Sequence, residues 1–320
     1  MKKGLVLLLL AALCLGLNGC QRGGEQAGGG GRRRIALVMK TANNPFFIEM
    51  QKGAEEAAKR LDVELVVQAA EREVDVEKQM QIVENLIQTR VAALCVTPSG
   101  SREIVPAIDK ANRANIPVVI VDTRVDAKAL AESGGRVATF IGSDNYEGGK
   151  IAGEFLAKRL AGKGKVAVLE GIPGHETGDS RLRGFREALK ASPGVEVVAS
   201  QTANWERDQG FNVFQNILQS HPDVQAVFAC SDLMALGAVE AIAAAKKTGQ
   251  IAVVGFDATA EARGAILNGT MDASVAQSPA QMGALAVENA LKLLKGEQVN
   301  AEFVVPIQLV TKENAYRGEK

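Results

Sequence analysis

The stretches IPVVIVD (residues 116–122) and IAVVGFD (residues 251–257) repeat one pattern, an apolar run that ends in an aspartate. Uninterrupted runs of Val and Ile are typical of strands that are buried on both faces of a parallel sheet. Aligning the two copies puts Asp122 and Asp257 at equivalent strand ends. The chain therefore contains an internal repeat, and each copy includes a buried strand.

Further matches surround this pair and are predicted to be helices. They are MQKGAEEAAK (50–59) with RLRGFREALK (181–190), VEKQMQIVENLIQT (76–89) with RDQGFNVFQNILQS (207–220), and GKIAGEFLAK (149–158) with GALAVENALK (283–292). Each repeat is thus predicted to run strand, helix, strand, helix, strand. This order predicts an α/β fold with two doubly wound parallel-sheet lobes.

Two segments of the sequence indicate where the chain connects the lobes. Each segment precedes one helix of the matched pair 149–158 and 283–292. These segments are TFIGSDN (139–145) and ASVAQSP (273–279), and at each the chain is expected to cross to the other lobe. Repeated crossings make a hinge, so we expect the lobes to be joined by a multi-crossing hinge. The expected N-terminal lobe comprises residues 33–143 plus 278–306, and the C-terminal lobe residues 144–277 plus 307–320.

The N-terminus is typical of an export signal. Two lysines precede the apolar run GLVLLLLAALCLGL (4–17), which is short for a membrane span. Leu17-Asn18-Gly19-Cys20 resembles a bacterial lipobox, so residues 1–20 are predicted to be a lipoprotein signal peptide ending at Cys20. Ordinary signal cleavage and a short membrane anchor are the alternatives. With residues 21–32 as a Gly-rich tether, we expect a periplasmic or extracytoplasmic protein that is lipid-anchored to a membrane through Cys20.

Charge and reactive side chains exclude several classes of function. The chain carries 37 basic and 37 acidic residues, so we expect it not to bind nucleic acid. Beyond Cys14 and Cys20, its cysteines are Cys95 and Cys230, which lie in apolar runs and are predicted to be inert, buried thiols. The two histidines, His175 and His221, lack the spacing of a metal site. We find no catalytic constellation, and we expect neither an enzyme nor a cofactor.

The stretch TANNPFF (41–47) joins a predicted strand to a predicted helix. Asn44 is a good helix cap and Pro45 a good first helical residue, because proline has no backbone N–H to leave unpaired. This explains neither Phe46 nor Phe47. In open parallel sheets, ligands bind beyond the carboxyl ends of the strands. We therefore expect both phenylalanines to project into a cleft between the lobes.

Several long motifs resemble one protein family. They are TANNPFF, NRANIPV (112–118), IGSDNYEGGKIAGEFLAK (141–158), HPDVQAVFACSDLMALGA (221–238) and VVGFDAT (253–259). Together they are similar to the ribose-binding family of bacterial type I periplasmic sugar-binding proteins, which serve ABC importers. The resemblance runs from about residue 33 almost to the C-terminus. Because the motifs are long and ungapped, it is specific.

The resemblance implies a function. The chain is expected to capture a sugar or cyclic polyol in the cleft by hinge closure and to deliver it to an ABC import permease in the inner membrane. The alternative is a periplasmic sensor of a sugar or sugar-like signal that docks on a membrane receptor. We expect a monomer.

The resemblance also implies a set of ligand-binding residues. The positions that match are Asn44, Phe46, Phe47, Asp122, Arg181, Trp205, Asp257 and Gln277. Thr123 and Ser231 are further pocket positions, but they replace an arginine and an asparagine of the ribose binder. These changes remove donors, so they argue against ribose and leave another pentose, a hexose or a cyclic polyol such as inositol open. Aromatic plates with charged, planar groups suit a sugar, which has apolar C–H faces and a rim of hydroxyls.

Each candidate also has a purely structural interpretation. Phe46 or Phe47 would pack beneath the first helix, and Asp257 would cap the following turn. Arg181 would belong to a solvated helix face, as clustered arginines usually do. Trp205, the only tryptophan, would be part of a core. The match of all these residues to one cleft favours binding.

Overall fold

The computed structural model describes residues 32–316. The predicted signal peptide, Cys20 and all of the predicted tether except residue 32 lie outside the described residues. The strands are β1 (Arg34–Thr41), β2 (Glu64–Ala70), β3 (Ala93–Val96), β4 (Val118–Val121), β5 (Thr139–Ser143), β6 (Lys163–Glu170), β7 (Gly194–Thr202), β8 (Ala226–Ala229), β9 (Ala252–Asp257), β10 (Ala273–Ala276), β11 (Glu302–Val305) and β12 (Gln308–Thr311). The helices are α1 (Pro45–Leu61), α2 (Val76–Gln88), α3 (Val105–Arg113), α4 (Ala127–Ser133), α5 (Asn145–Arg159), α6 (Glu176–Leu189), α7 (Arg207–Ser220), α8 (Asp232–Ala244), α9 (Ala260–Asn268) and α10 (Pro279–Leu294).

The strands form two sheets of six, and both sheets have the same order. The first runs β11-β5-β4-β3-β1-β2 and the second β12-β10-β9-β8-β6-β7. The repeat therefore corresponds to two equivalent lobes, and the predicted fold class is confirmed. The lobes differ at one edge, since β11 pairs parallel with β5 whereas β12 pairs antiparallel with β10.

The chain passes from one sheet to the other after β5, after β10 and between β11 and β12. The predicted multi-crossing hinge is therefore present. As a result α10 packs against α1 of the first lobe, and α5 packs against α6 of the second. The two helix pairs are equivalent in the repeat.

One glycine shared by the repeats explains how closely these helix pairs approach. A Cβ atom on Gly53 of α1 would lie 1.9 Å from the carbonyl oxygen of Ala280 in α10. A Cβ atom on Gly184 of α6 would likewise lie 1.9 Å from the carbonyl oxygen of Tyr146 in α5. Any larger residue would push the helices apart, so glycine at this position keeps each pair in backbone contact.

The sheets are buried between helices, as the apolar runs predict. Cys95 lies in β3 and Cys230 directly follows β8; both are free and fully buried. Burial raises the pKa of each thiol to about 12, so neither forms a thiolate at neutral pH. The prediction of inert thiols is confirmed. Among the helices within residues 32–316, none is both long and apolar enough to cross a membrane.

Candidate functional site

A cavity lies where the carboxyl ends of strands from both sheets face each other, and its empty space of about 300 Å³ is partly open to solvent. Its walls are Lys40, Asn44, Phe46, Phe47, Glu73, Asp122, Thr177, Arg181, Trp205, Ser231, Asp257 and Gln277. The structure therefore brings together every predicted ligand-binding residue except Thr123. It adds Lys40, Glu73 and Thr177, which the sequence did not single out.

Asn44 caps α1, as the sequence predicts. Its Oδ1 accepts from the backbone N–H of Phe46 at 3.0 Å, and α1 begins at Pro45. Its Nδ2 donates to Oε1 of Glu73 at 2.9 Å. Both ends of the Asn44 amide are therefore engaged within the protein.

Phe46 and Phe47 serve the core and the cavity at once. Their rings meet edge to face, with centroids 5.2 Å apart and planes at 85°. Both side chains are buried in the apolar core that contains Met50, and both line the cavity. The two interpretations of these residues therefore coincide.

The two repeated aspartates share an uncommon backbone conformation. The φ angle is 64° at Asp122 and 109° at Asp257. Positive φ is strained for residues other than glycine, and such strain concentrates at ligand sites. Each lobe therefore contributes one carboxyl group to the cavity wall from a residue with positive φ.

Thr123 lies behind Asp122 and not on the cavity wall. The Thr123 hydroxyl donates to Oδ2 of Asp122 at 2.8 Å, and Thr123 is fully buried. On the same side, Nζ of Lys40 lies 3.6 Å from Oδ2 of Asp122. Since Oδ2 is held from two sides, Oδ1 is the oxygen of Asp122 that a ligand would meet. Thr123 thus acts on the site through Asp122.

Arg181 is buried and fixed by several contacts. Its Nε donates to Oδ1 of Asn145 at 2.8 Å, and its Nη1 donates to the backbone oxygen of Cys230 at 2.6 Å. The guanidinium carbon lies 3.7 Å from the ring centroid of Phe256, which is a cation–π contact. Arg181 is therefore an oriented donor in the cavity wall.

Beside Arg181, in the same lobe, lies an aspartate that is difficult to ionise. Burial raises the pKa of Asp257 above its usual range; Arg181 opposes this shift and Asp232 adds to it. Nε2 of Gln277 donates to Oδ1 of Asp257 at 2.8 Å. Burial also raises the pKa of Glu73, although the charge of Lys40 opposes the shift. Both carboxyl groups are shielded from water, so a hydrogen-bond donor on the ligand would take the place of the missing water.

Some polar atoms of the cavity wall have no partner. Within residues 32–316, Oε1 of Gln277 and Oγ1 of Thr177 are buried without a hydrogen bond. Buried polar groups are nearly always hydrogen-bonded, and leaving one unpaired costs about 1 to 3 kcal/mol. Because both residues line the cavity, a polar ligand is the natural partner of these atoms.

Trp205 links the cavity to the other lobe through a histidine. Its Nε1 donates to Nδ1 of His175 at 3.3 Å, and the imidazole also hydrogen-bonds the backbone of Ser99 in the first lobe. Burial lowers the pKa of His175 to about 3, and the charge of Lys40 contributes. His175 is therefore neutral at pH 7 and joins the two lobes beside the Trp205 ring.

The lobes also meet through direct contacts outside the cavity wall. Nη2 of Arg72 in the first lobe lies 2.6 Å from Oε1 of Glu206 in the second. The backbone N–H of Glu176 donates to the hydroxyl of Ser101 at 3.3 Å. The structure therefore describes a closed arrangement in which the cavity wall is assembled from both lobes.

The residues that the sequence analysis missed are charged or small and lie outside its motifs. Lys40 is the only charged residue between Arg34 and Thr41 of β1. A lone charge in a buried strand is the one sequence signal that would have identified Lys40 as a candidate. Glu73 lies in the charged stretch EREVD (71–75), which is typical of a solvated loop. Thr177, in the first turn of α6, carried no signal.

Comparison with known proteins identifies the family. A profile described as a periplasmic binding protein domain matches residues 35–298. The chain belongs to the periplasmic binding protein family. The resemblance that its motifs indicated is confirmed. Because proteins of this family serve ABC importers from outside the cytoplasm, the chain is extracytoplasmic.

Curated relatives of this periplasmic binding protein are named for sugar import or sugar binding. The ribose import binding protein of Escherichia coli K12 is 42% identical over 287 residues, which cover 90% of this chain and 93% of that protein. The D-ribose/D-allose-binding protein of Pseudomonas aeruginosa is 38% identical over 286 residues, covering 87% of this chain and 88% of that protein. Both relatives are named as binding proteins and not as enzymes.

A solved structure gives the same result. An ABC transporter periplasmic solute-binding protein from Actinobacillus succinogenes, with bound D-allose, superposes with a TM-score of 0.85. It is 40% identical in sequence, and the match covers 89% of this chain and 99% of that chain. The periplasmic binding protein described here is therefore similar, in sequence and in its two-lobe fold, to a homologue that was solved with a bound sugar.

Proposed function

We propose that this periplasmic binding protein captures a sugar or cyclic polyol in the cavity between its lobes and presents it to an ABC import permease. The observation that carries the proposal is the cavity wall, which combines aromatic rings, carboxylates and a guanidinium drawn from both lobes. The sugars and import roles in the names of the relatives support it.

The polar groups of the wall suit hydroxyls in particular. A hydroxyl both donates and accepts, and hydrogen bonds to charged partners are shorter and stronger than neutral ones. Asp122 would accept from ligand hydroxyls, and Arg181 would donate to hydroxyl or ring oxygens. Because burial raises the pKa of Asp257, its carboxyl group would donate to a hydroxyl when protonated and accept from one when ionised. Phe47 and Trp205 offer apolar faces for the C–H surfaces of the ring.

Closure of the hinge follows from the division of these groups between the lobes. Asp122 belongs to the first lobe, and Arg181 and Asp257 belong to the second. A ligand that contacts all three is fully bound only when the lobes are together. Binding therefore shifts the open and closed populations toward the closed form, and the closed surface is what the permease recognises.

The membrane attachment and oligomeric state belong to the same proposal. Cys20, at the end of the lipobox-like sequence, would carry the lipid, and the compact unit that begins at Arg32 would act as a monomer. A Cys20→Ser variant should leave the membrane fraction and incorporate no labelled fatty acid. Analytical ultracentrifugation of residues 32–320 should give the mass of one chain; a dimer would contradict the proposed monomer.

Thermal unfolding tests the binding function directly. Residues 32–320 would be unfolded with pentoses, hexoses, inositols and, as a control panel, amino acids. A ligand at about a hundred times its Kd stabilises a protein by about 2.7 kcal/mol, which raises Tm visibly. We expect at least one sugar or polyol and no amino acid to raise Tm. Stabilisation by no sugar or polyol would refute the proposed function.

A further inference from the structure

The N-terminus of α6 differs from that of α1, its equivalent in the repeat. The alignment that places Gly53 on Gly184 also places Asn44 on His175, and both are N-cap residues. Asn44 caps α1 through its side chain, which accepts from the backbone N–H of Phe46. The side chain of His175 makes no capping hydrogen bond. Since the first N–H groups of a helix have no partner within it, α6 lacks the cap that α1 takes from its own lobe.

Ser101 of the first lobe supplies a partner for this end of α6. Its hydroxyl accepts from the backbone N–H of Glu176, the first residue of α6, at 3.3 Å. Ser101 lies between β3 and α3, whereas α6 follows β6 in the other sheet. The hydrogen bond therefore exists only when the two lobes are together.

The segment 99–101 is held in the first lobe and meets the start of α6 at a second point. The backbone oxygen of Ser101 accepts from the backbone N–H of Asp126 at 2.8 Å, which fixes the segment to its own lobe. The imidazole of His175 hydrogen-bonds the backbone of Ser99. Ser99, Ser101 and His175 are buried, and all three lie outside the cavity wall. The contact between the lobes is therefore separate from the groups that would meet a ligand.

The helix that receives these contacts carries ligand-binding groups. Thr177 lies in the first turn of α6 and Arg181 in the next turn, and both line the cavity. If α6 moves away from the first lobe, the bond from Glu176 to Ser101 breaks and Arg181 is withdrawn from the first-lobe wall in the same movement. The Ser101 contact therefore stabilises the closed form and has no counterpart in the open form.

We propose that Ser101 and the start of α6 form a latch that keeps the lobes closed around the sugar without touching it. The inference rests on the proposed function, because it assumes that a bound sugar closes the lobes. Ser101 is thus a positioning residue that acts on the sugar through α6. A contact that forms on closure slows the release of the ligand and leaves its encounter with the open form unchanged.

Stopped-flow kinetics test the latch. Residues 32–320 would be mixed with increasing concentrations of the sugar that stabilises them most, and Trp205, the only tryptophan, gives the fluorescence signal. In the linear range, the slope of the observed rate against sugar concentration gives the association rate constant and the intercept gives the dissociation rate constant. We expect Ser101→Ala to raise the dissociation rate constant roughly three- to tenfold and to change the association rate constant less than about twofold.

Ser99→Ala is the matched control. Ser99 belongs to the same segment, and its hydroxyl is buried without a hydrogen bond to any residue in the range 32–316. This variant therefore makes the same chemical change as Ser101→Ala without removing a hydrogen bond, and it keeps the backbone that meets His175. It should release the sugar at the parent rate. An equal rise in both serine variants would overturn the latch.

Glu176→Pro tests the same contact from the other lobe. Proline has no backbone N–H and suits the first helical position, which Pro45 occupies in α1. His175 has φ −78° and ψ 118°, the extended conformation that a residue before proline requires. Glu176→Ala keeps the N–H and controls for the lost carboxylate. Because Ser101→Ala and Glu176→Pro remove one and the same hydrogen bond, the double variant should release the sugar about as fast as either single variant. Multiplied effects would overturn the latch.

The outcomes separate the latch from the proposed function. If no sugar or polyol binds, both are overturned. If a sugar binds and Ser101→Ala releases it at the parent rate, only the latch is overturned. The same holds if Ser101→Ala lowers the Tm of the sugar-free and the sugar-saturated protein equally, because Ser101 then stabilises the fold and not closure. If Ser101→Ala does not fold, the dissociation rates of Glu176→Pro and Glu176→Ala decide.

Discussion

Nη1 of Arg181 lies 3.9 Å from Oδ1 of Asp257, and both side chains are nearly fully buried. The two groups attract each other but do not form a direct hydrogen bond at this distance. Arg181 is instead held by Asn145 and the backbone of Cys230. The gap is therefore maintained by the surrounding structure, and a ligand hydroxyl is the group that would close it.

Replacing Arg181 should weaken sugar binding strongly. Arg181→Lys keeps the charge but loses the planar group that reaches Asn145, Cys230 and the cavity together, so we expect a loss of about 2 to 3 kcal/mol in binding free energy. Arg183→Ala, in the same helix but exposed, is the matched control and should change affinity little. Calorimetric titration with the tightest sugar measures both. Equal affinities would show that Arg181 is not in the site.

A methyl group added at Gly171 should disturb the site through Trp205. A Cβ atom there would lie 1.9 Å from Cζ2 of the indole, so the ring must move. We expect Gly171→Ala to lower both Tm and sugar affinity. Gly264→Ala, where a Cβ atom meets nothing within 4 Å, is the control and should bind normally.

Trp205 is also the only tryptophan, so its fluorescence reports on the cavity directly. The parent should show a saturable change in emission on titration with the tightest sugar. In Gly171→Ala the change should require more sugar. A parent spectrum unaffected by saturating sugar would contradict contact between Trp205 and the ligand.

Stability should fall in acid because of His175. Its pKa is about 3 in the folded protein and about 6.5 when unfolded, so between these values the unfolded chain binds a proton that the folded protein does not. The His175 contribution is therefore complete above pH 6.5 and decreases below it. At pH 5 the loss should be about 2 kcal/mol.

Comparison with a His175→Gln variant isolates this effect. Glutamine retains an acceptor for Trp205 but does not titrate. Glu73 and Asp257 titrate in both proteins, so they cancel in the difference. Denaturant unfolding at pH 7 and pH 5 should show a loss in the parent that exceeds the loss in the variant by about 2 kcal/mol. An identical loss in both would refute the assigned role.

The contact between Arg72 and Glu206 should matter less than its short distance suggests. Both side chains are partly exposed, and exposed ion pairs contribute little because water and salt screen them. We expect Glu206→Gln to weaken sugar binding no more than about fivefold, and the effect to shrink at high salt. A loss as large as that of Arg181→Lys would contradict this.

The repeat made the fold predictable from the sequence. Buried strands and helices recur in one order, and IPVVIVD and IAVVGFD contain β4 and β9 at equivalent places in the two sheets. The antiparallel pairing of β12 was not predictable. Its direction depends on how the chain returns across the hinge after β11, and no local pattern in the sequence records that path.

The site was predictable where a side chain follows a strand or belongs to a motif. Asp122 and Asp257 met both conditions. Thr123 did not reach the cavity wall, because successive residues at a strand end point in different directions. Lys40 and Glu73 were missed because charged residues are usually solvated, and only the packing of both lobes shows that they are enclosed.

A crystal structure of residues 32–320 with the sugar that stabilises them most tests the central claim most directly. It measures the distances from the ligand oxygens to Asp122 in the first lobe and to Arg181 and Asp257 in the second. The account predicts hydrogen bonds of about 2.6 to 3.1 Å to both lobes at once. A sugar bound to one lobe only, or outside the cavity, would contradict it.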